Sequence, residues 1–375
     1  MKSLGIGLIG TGFMGKAHAL AFGAARAVMG DVPETHLAVL CETPADKAKQ
    51  MADQFGFAKS TSDWASLVSD PDVDIVSITT PNTLHFDMAM AAIRAGKHVY
   101  CEKPLALTLE QAREMRDAAN KAGVKTMVGY NYIKNPAFTH ACRLVQSGEI
   151  GDIVHFRGWV DEDYQADPNL PWTWRAKLSD AGLGALGDMG CHLVSMAYGL
   201  AGPIDSLIAD MQTIHTTRPL ADGTGRAKVE NEDTASALVR FTNGAHGSLS
   251  TSRSAWGRKN RLAWEVHGTK GMLCFDQERM NELLLYRNSG DTAQQGFTTI
   301  LTGPAHPPYG EFCPAPGHQL GFNDLKVIEA STLLRAIRDN STPYPTFEHA
   351  YEFEKTIHAI AKSAAEGTRI SLAEM

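Results

Sequence analysis

The sequence predicts an α/β protein in two parts: a doubly wound parallel sheet at the N-terminus, then an α+β domain built on an open, mainly antiparallel sheet. Three observations predict it. Over the first 128 residues, short continuous apolar runs alternate with helical stretches, the pattern of parallel strands covered by helices on both faces. After Gly129 the apolar runs become alternating and are separated by hairpin signals. The length, 375 residues, is more than one ordinary domain holds. The boundary is placed between positions 129 and 130, giving domains 1–129 and 130–375, with the last helices able to return to the first.

Leu4–Ile9 is apolar and runs into glycines, a strand leading to a tight turn; Phe13–Met29 is Ala-rich and helical. Leu37–Cys41 reads as the next strand, and Pro44–Phe55 as a helix with Asp46, Lys47 and Lys49 on its wet side. Asp74–Thr79 is the third clear strand, followed by a helix over Leu84–Ala95 that stops at Gly96. Lys97–Cys101, the helix Leu109–Ala122 ending at Gly123, and the strand Val124–Val128 complete the first domain. The second opens with a helix over Ala137–Val145, a long alternating strand Asp152–Asp163, a Pro/Trp-rich loop to Arg175, and a helix over Leu186–Leu200. Strands are expected over Ser206–Thr213, Thr234–Phe241, Ala245–Thr251, Arg261–His267 and Met272–Phe275, with turns at Asn243-Gly244 and Gly268–Gly271. Residues 290–322, rich in Gly, Pro and His, read as a long loop; helices Asp324–Arg338 and Glu348–Glu366 close the chain.

Forty-two acids against thirty-five Lys and Arg give a formal charge of −7, which disfavours a polyanion as partner; no nucleic acid is expected. With 43% hydrophobic residues the chain is not a disordered protein. The six cysteines never form a C-x-x-C pair, so neither a zinc knuckle nor a disulfide framework is expected, and no metal. Glycines and Lys16 interrupt the N-terminal apolar stretch, and no apolar run approaches membrane-spanning length. A cytoplasmic protein without a membrane partner is the expectation.

Gly10-Thr11-Gly12-Phe13-Met14-Gly15 joins the first strand to the first helix. Gly10 permits the turn, Gly12 lets a pyrophosphate approach the backbone, and Gly15 allows close helix–strand packing, the Rossmann dinucleotide fingerprint. Glu42, just past the second strand, suits the ribose hydroxyls and repels a 2′-phosphate, so NAD is expected over NADP. Its distance from the glycines is longer than usual, which an extended first helix accommodates. Thr80-Pro81-Asn82, with His85 beyond, and Glu102-Lys103-Pro104 follow the third and fourth clear strands and so lie at the carboxyl edge of the sheet, where such folds bind ligands. A cationic nicotinamide destabilises a neighbouring ammonium, making Lys103 a candidate for proton transfer. A surface lysine at a turn is the bland alternative. Asp188 and His192 stand four apart at the start of a helix, on one face. They read as an acid–base pair, a capping pair, or two ligands of a metal that lacks further partners.

Together the glycine loop, Thr80-Pro81-Asn82, Glu102-Lys103-Pro104 and Asp188-x-x-x-His192 resemble the Gfo/Idh/MocA oxidoreductases, the relatives of glucose–fructose oxidoreductase and inositol dehydrogenase. Asn131-Tyr132, Asn135-Pro136-Ala137, Ala166–Asn169, Trp174-Arg175 and Thr302–Pro307 look closest to its levoglucosan and inositol/pyranose dehydrogenase branch. The resemblance implies a second domain whose open sheet walls the substrate cleft and makes the contacts of a homodimer or homotetramer. It implies NAD-dependent oxidation of a secondary ring hydroxyl of a cyclic sugar, anhydrosugar or inositol. Lys103, Asp188 and His192 would be the catalytic trio, with Lys103 or His192 as base. The cofactor set would be Gly10, Gly12, Phe13, Met14, Gly15, Glu42, Thr80, Pro81, Asn82, His85, Glu102 and Lys103. Tyr132, Glu162, Trp174 and Arg175 would join the trio at the substrate. Two positions depart from the pattern: Ser195 replaces an acid common in relatives, and Glu162 stands where the levoglucosan-like pattern favours an amide. A glycoside hydrolase working by transient oxidation shares the trio; a non-catalytic NAD-binding regulator would not need it.

Overall fold

The computed structural model describes residues 3–375, which divide into two compact units, residues 3–134 with 320–352, and 135–319 with 353–375. Elements are numbered in chain order.

The first unit is built on six parallel strands: β1 (Leu4–Ile9), β2 (Thr35–Cys41), β3 (Lys59–Thr61), β4 (Ile75–Ile78), β5 (His98–Cys101) and β6 (Thr126–Val128). Their order, β3-β2-β1-β4-β5-β6, is that of the doubly wound dinucleotide-binding sheet, with its switch point between β1 and β4. The central strands are buried along their length, as the apolar runs require. Helices α1 (Phe13–Met29), α2 (Ala45–Phe55), α3 (Trp64–Ser69), α4 (His85–Arg94) and α5 (Leu109–Ala122) connect them. Their ends follow local chemistry: Asp63 and Thr108 cap α3 and α5, and Gly56 and Gly123 end α2 and α5 in the left-handed conformation. Leu8, Ala19, Leu40, Ala48, Ala52 and Phe57 form one core cluster. The long helix α10 (Phe322–Arg338) belongs to this unit and lies against α1, whose Ala17, Ala21 and Ala25 are buried. Two short elements, β3 and α3, fall where no element was expected.

In the second unit, α6 (Pro136–Gln146), α7 (Leu178–Ala181) and α8 (Cys191–Ala201) accompany a nine-stranded sheet. Its strands are β7 (Ile153–Asp161), β8 (Ile204–Gln212), β11 (Thr234–Phe241), β12 (His246–Ser252), β13 (Arg261–Gly268), β14 (Gly271–Asp276), β15 (Glu282–Arg287), β16 (Phe297–Leu301) and β17 (Ile370–Ser371). The order is β16-β15-β14-β13-β7-β12-β11-β8-β17, antiparallel except where β12 runs parallel to β7. β9 (Thr217–Pro219) and β10 (Arg226–Lys228) make a separate hairpin that the sequence did not suggest. Residues 290–322 are not one loop: β16 and the short helix α9 (Tyr309–Phe312) lie within them. Helix α11 (Phe347–Glu366) begins in the first unit and ends in the second. No helix among the described residues is long and apolar enough to cross a membrane.

Candidate active site

The first unit presents a cradle at its switch point. Gly10 adopts φ +96°, and a Cβ there would approach Thr79 O to 2.9 Å; one on Gly15 would meet Gly10 O at 2.2 Å. Gly12 is exposed and a Cβ on it would meet nothing within 4 Å, so open space lies over the turn. Thr79 Oγ1 donates to the carbonyls of Ile9 and Gly10, both at 3.0 Å, fastening the β4 loop to the glycine turn. No side chain caps α1 and no acid stands in its first turn, so its amide dipoles face this opening. Phe13, 71% exposed, stacks on Phe322.

Glu42 directly follows β2, its carboxylate turned to the same turn. Oε2 accepts from Thr11 N at 3.0 Å and Oγ1 at 2.5 Å, while Oε1 accepts from Thr43 N at 2.8 Å. Burial pushes this carboxyl up, but those donors and the Lys47 ammonium outweigh it and hold it below the usual range. The donor set fits a dinucleotide: a glycine cradle for phosphates, and an ionised acid that accepts from ribose hydroxyls and opposes a 2′-phosphate.

Thr80, Pro81 and Asn82 follow β4, where Asn82 starts a short 3₁₀ turn, and Lys103 follows β5, half-buried. His85 and Glu102, expected at the cofactor, are buried instead. His85 sits between two loops, Nδ1 2.9 Å from Pro104 O and Nε2 3.0 Å from Thr80 O. Burial lowers its pKa, and a neutral ring donates one of these bonds at a time. It is a strut that ties the Thr80 loop to Lys103-Pro104. Tyr132 lies in the first unit, edge-on to Phe322.

Glu162, Trp174, Arg175, Asp188 and His192 all belong to the second unit. Asp188 lies on a π-helical turn, Leu186–Gly190, that leads directly into α8, where His192 is second. Such wide turns recur at functional sites. Tyr164 donates to Asp188 Oδ2 at 2.9 Å; burial, then the Asp188 charge, raises the phenol's pKa well above normal, so it remains a donor. Ser195 Oγ donates to His192 O at 2.7 Å, filling the position of the missing acid with a local backbone bond. The Arg175 guanidinium lies 4.6 Å from the Trp174 ring centroid. The loop from Tyr164 to Arg175 is held from below: Arg218, 1% exposed, donates to the carbonyls of Gln165 and Asp167, and Trp172 bonds Pro219 O and Lys228 O on the hairpin. Glu162 is half-buried, its main chain paired with Ser252 and Ala255.

Residues 4–130 match the model of an oxidoreductase family with an NAD-binding Rossmann fold, and residues 138–274 match the GFO/IDH/MocA C-terminal domain. The chain belongs to the GFO/IDH/MocA family. As a member it is an NAD-dependent oxidoreductase. Levoglucosan dehydrogenase of Pseudarthrobacter phenanthrenivorans is 40% identical over 389 residues, covering all of both chains. A solved levoglucosan dehydrogenase in complex with NADH and levoglucosan superimposes with a TM-score of 0.95 at 40% identity, over 99% of this chain and 100% of that one. Inositol 2-dehydrogenase of Rhizobium meliloti is 26% identical over 98% of each chain.

Tyr164 and Arg218 escaped the sequence reading, as did Glu232, which accepts from Gly184 N and Leu186 N, both at 2.8 Å. Nothing in their local sequence marks them. Only tertiary placement brings them to the Asp188 segment and its loop.

Proposed function

We propose that this protein oxidises a secondary ring hydroxyl of a cyclic sugar, anhydrosugar or cyclitol to the ketone, with NAD as oxidant. The observation that carries the reading is the pairing of a dinucleotide cradle and an ionised Glu42 with a half-buried lysine at the carboxyl edge of β5. The relatives' substrates, levoglucosan and inositol by name, give the substrate class.

When bound, NAD supplies the hydride acceptor. The glycine turn and the start of α1 hold its phosphates, and Glu42 its adenosine ribose. Thr80, Pro81, Asn82, Phe13 and Met14 line its path, while His85 and Glu102 act from beneath as supports. Lys103 and His192 serve the hydroxyl oxygen: one takes its proton as the carbon loses hydride, and the ammonium of Lys103 stabilises charge that develops on that oxygen. Asp188, fixed by Tyr164, orients His192. Trp174 and Arg175 offer an apolar face and donors to a polyhydroxylated ring, and Tyr132 and Glu162 further hydroxyl contacts. A carboxylate at 162 suits a neutral ring and opposes an anionic one. The proposed division of labour assigns cofactor binding to domain 1–129 and substrate binding and homo-oligomer contacts to 130–375, with residues 320–352 serving the first.

The test is to supply NAD or NADP with levoglucosan, inositols, aldopyranoses and aryl glycosides and follow the absorbance of reduced nicotinamide. Reduction of NAD by one ring class supports the reading. Aglycone release that needs NAD but leaves no net NADH would replace it with redox-assisted hydrolysis.

A further inference from the structure

A buried polar cluster surrounds Glu102 in the first unit. Glu102 is 4% exposed and its two oxygens have separate partners. Oε1 accepts from the Lys326 ammonium at 2.6 Å and from His18 Nε2 at 2.8 Å; Oε2 accepts the main-chain N–H of Lys103 at 3.3 Å. Lys326, on α10, also bonds Glu329 at 2.9 Å and the Tyr100 hydroxyl at 3.4 Å, and Tyr100 in turn donates to Glu329. His18, Tyr100, Lys326 and Glu329 are all fully buried.

The donors can be accounted for one by one. Burial pushes the His18 ring down to about 4, so it is neutral and carries one proton. Facing a carboxylate, Nε2 must hold that proton, and Nδ1 then accepts from Ser77 Oγ at 2.8 Å. The three protons of Lys326 have three acceptors. Burial raises Glu329, whereas the Lys326 ammonium and His18 overcome burial at Glu102 and hold it well below its usual range. The groups facing Glu102 are therefore His18 from α1, His85 from α4, Tyr100 from β5, and Lys326 and Glu329 from α10, with Lys134 acting on Glu329. Room is made by Gly129, where a Cβ would fall 2.4 Å from Oε1.

Packing alone does not account for this cluster, because well-packed apolar residues in place of a buried ion pair commonly leave a fold as stable or more so. The main-chain group that the cluster addresses is the N–H of Lys103. We propose that Lys326 and His18 are positioning residues for Lys103: they hold the Glu102 carboxylate turned so that its other oxygen fixes the Lys103 main chain at the carboxyl edge of β5. This rests on the reading of Lys103 as a proton-transfer residue.

The test compares wild type with the double variant Glu102→Gln/Lys326→Met, which removes both charges and keeps the shape, and with Lys103→Ala. For the double variant the expected result is a kcat lower by about tenfold or more, the scale of a small displacement of a reacting group. The KM for NAD and NADH binding should stay within about threefold, and the kcat–pH profile should move along the pH axis, which a merely structural role would not require. His18→Phe, which removes one hydrogen bond and retains a ring against Tyr100, should lower kcat by about threefold in the same direction and serves if the double variant does not fold. Wild-type kcat and an unmoved profile in a folded variant, beside a Lys103→Ala variant that has lost turnover, overturn the positioning role alone. A fully active Lys103→Ala variant overturns the catalytic reading and the proposal together.

Discussion

Glu102 in the first unit and Glu232 in the second are both 4% exposed, and each holds main chain beside a proposed proton-transfer residue. Glu102 meets a buried ammonium and a neutral imidazole, and is ionised as half of a fixed pair. Glu232 meets the amides of Gly184 and Leu186 at the start of the Asp188 segment. The nearby Arg253 is bonded to Asp233 and Asn231. Burial therefore dominates at Glu232 and raises its pKa. One unit fixes its lysine by a charge pair that acid must break; the other fixes its Asp/His turn by a carboxylate for which ionisation is costly. The first is the stiffer electrostatic device, the second the more sensitive to pH.

The largest effect that sharpens this contrast is on stability. Lys326→Met alone leaves the buried Glu102 carboxylate without its cationic partner, and should cost about 3–5 kcal/mol in urea unfolding, with most of it regained on adding Glu102→Gln. A single variant as stable as wild type would dissolve the pair as a physical unit. Next, Lys103→Ala should lower turnover at least ~100-fold with NAD binding nearly intact, by steady-state rates and cofactor titration. Tyr164→Phe removes the hydrogen bond to Asp188 and should lower kcat about tenfold, the scale of one bond to a charged group. An unchanged rate there would leave the second unit's set without its support.

The smallest effect lies in the pH dependence of stability. A raised folded pKa means that the contribution of Glu232 is complete below the ordinary glutamate value of about 4.3 and is lost as pH rises through the folded value. The deficit of Glu232→Gln relative to wild type should therefore shrink from about pH 4.5 toward neutrality. Glu102 has the opposite sign: its contribution is present above about 4.3 and is lost only as pH falls below it. Urea melts across that range check both slopes, and a deficit for Glu232→Gln that grows with pH contradicts the comparison.

The first sheet was legible because its signals are local. Phe13–Met29 is bounded by Gly12 and Gly30 and folds as that helix; the apolar runs of β1, β4 and β5 are buried as runs. Lys59–Thr61 escaped because a three-residue, mostly exposed edge strand carries no apolar pattern, and β16 because its strand lies within Gly- and Pro-rich surroundings. At the site, Lys103, Asp188 and His192 stood out by motif. Their supports did not: Lys326 and Glu329 look like an ordinary i,i+3 pair on a wet helix face, and only the packing of α10 against α1 buries them. The π-helical turn under Asp188 has no signature in Gly187–Gly190 beyond its glycines.

The most direct test of the central claim follows the hydrogen itself. Levoglucosan deuterated at its ring carbons, or the ring substrate that the screen selects, is turned over with NAD and the product nicotinamide is weighed. Direct hydride loss from the carbinol carbon predicts one deuterium in the NADH and a slower rate than with unlabelled substrate. Unlabelled NADH, with the deuterium released to water, would contradict the account.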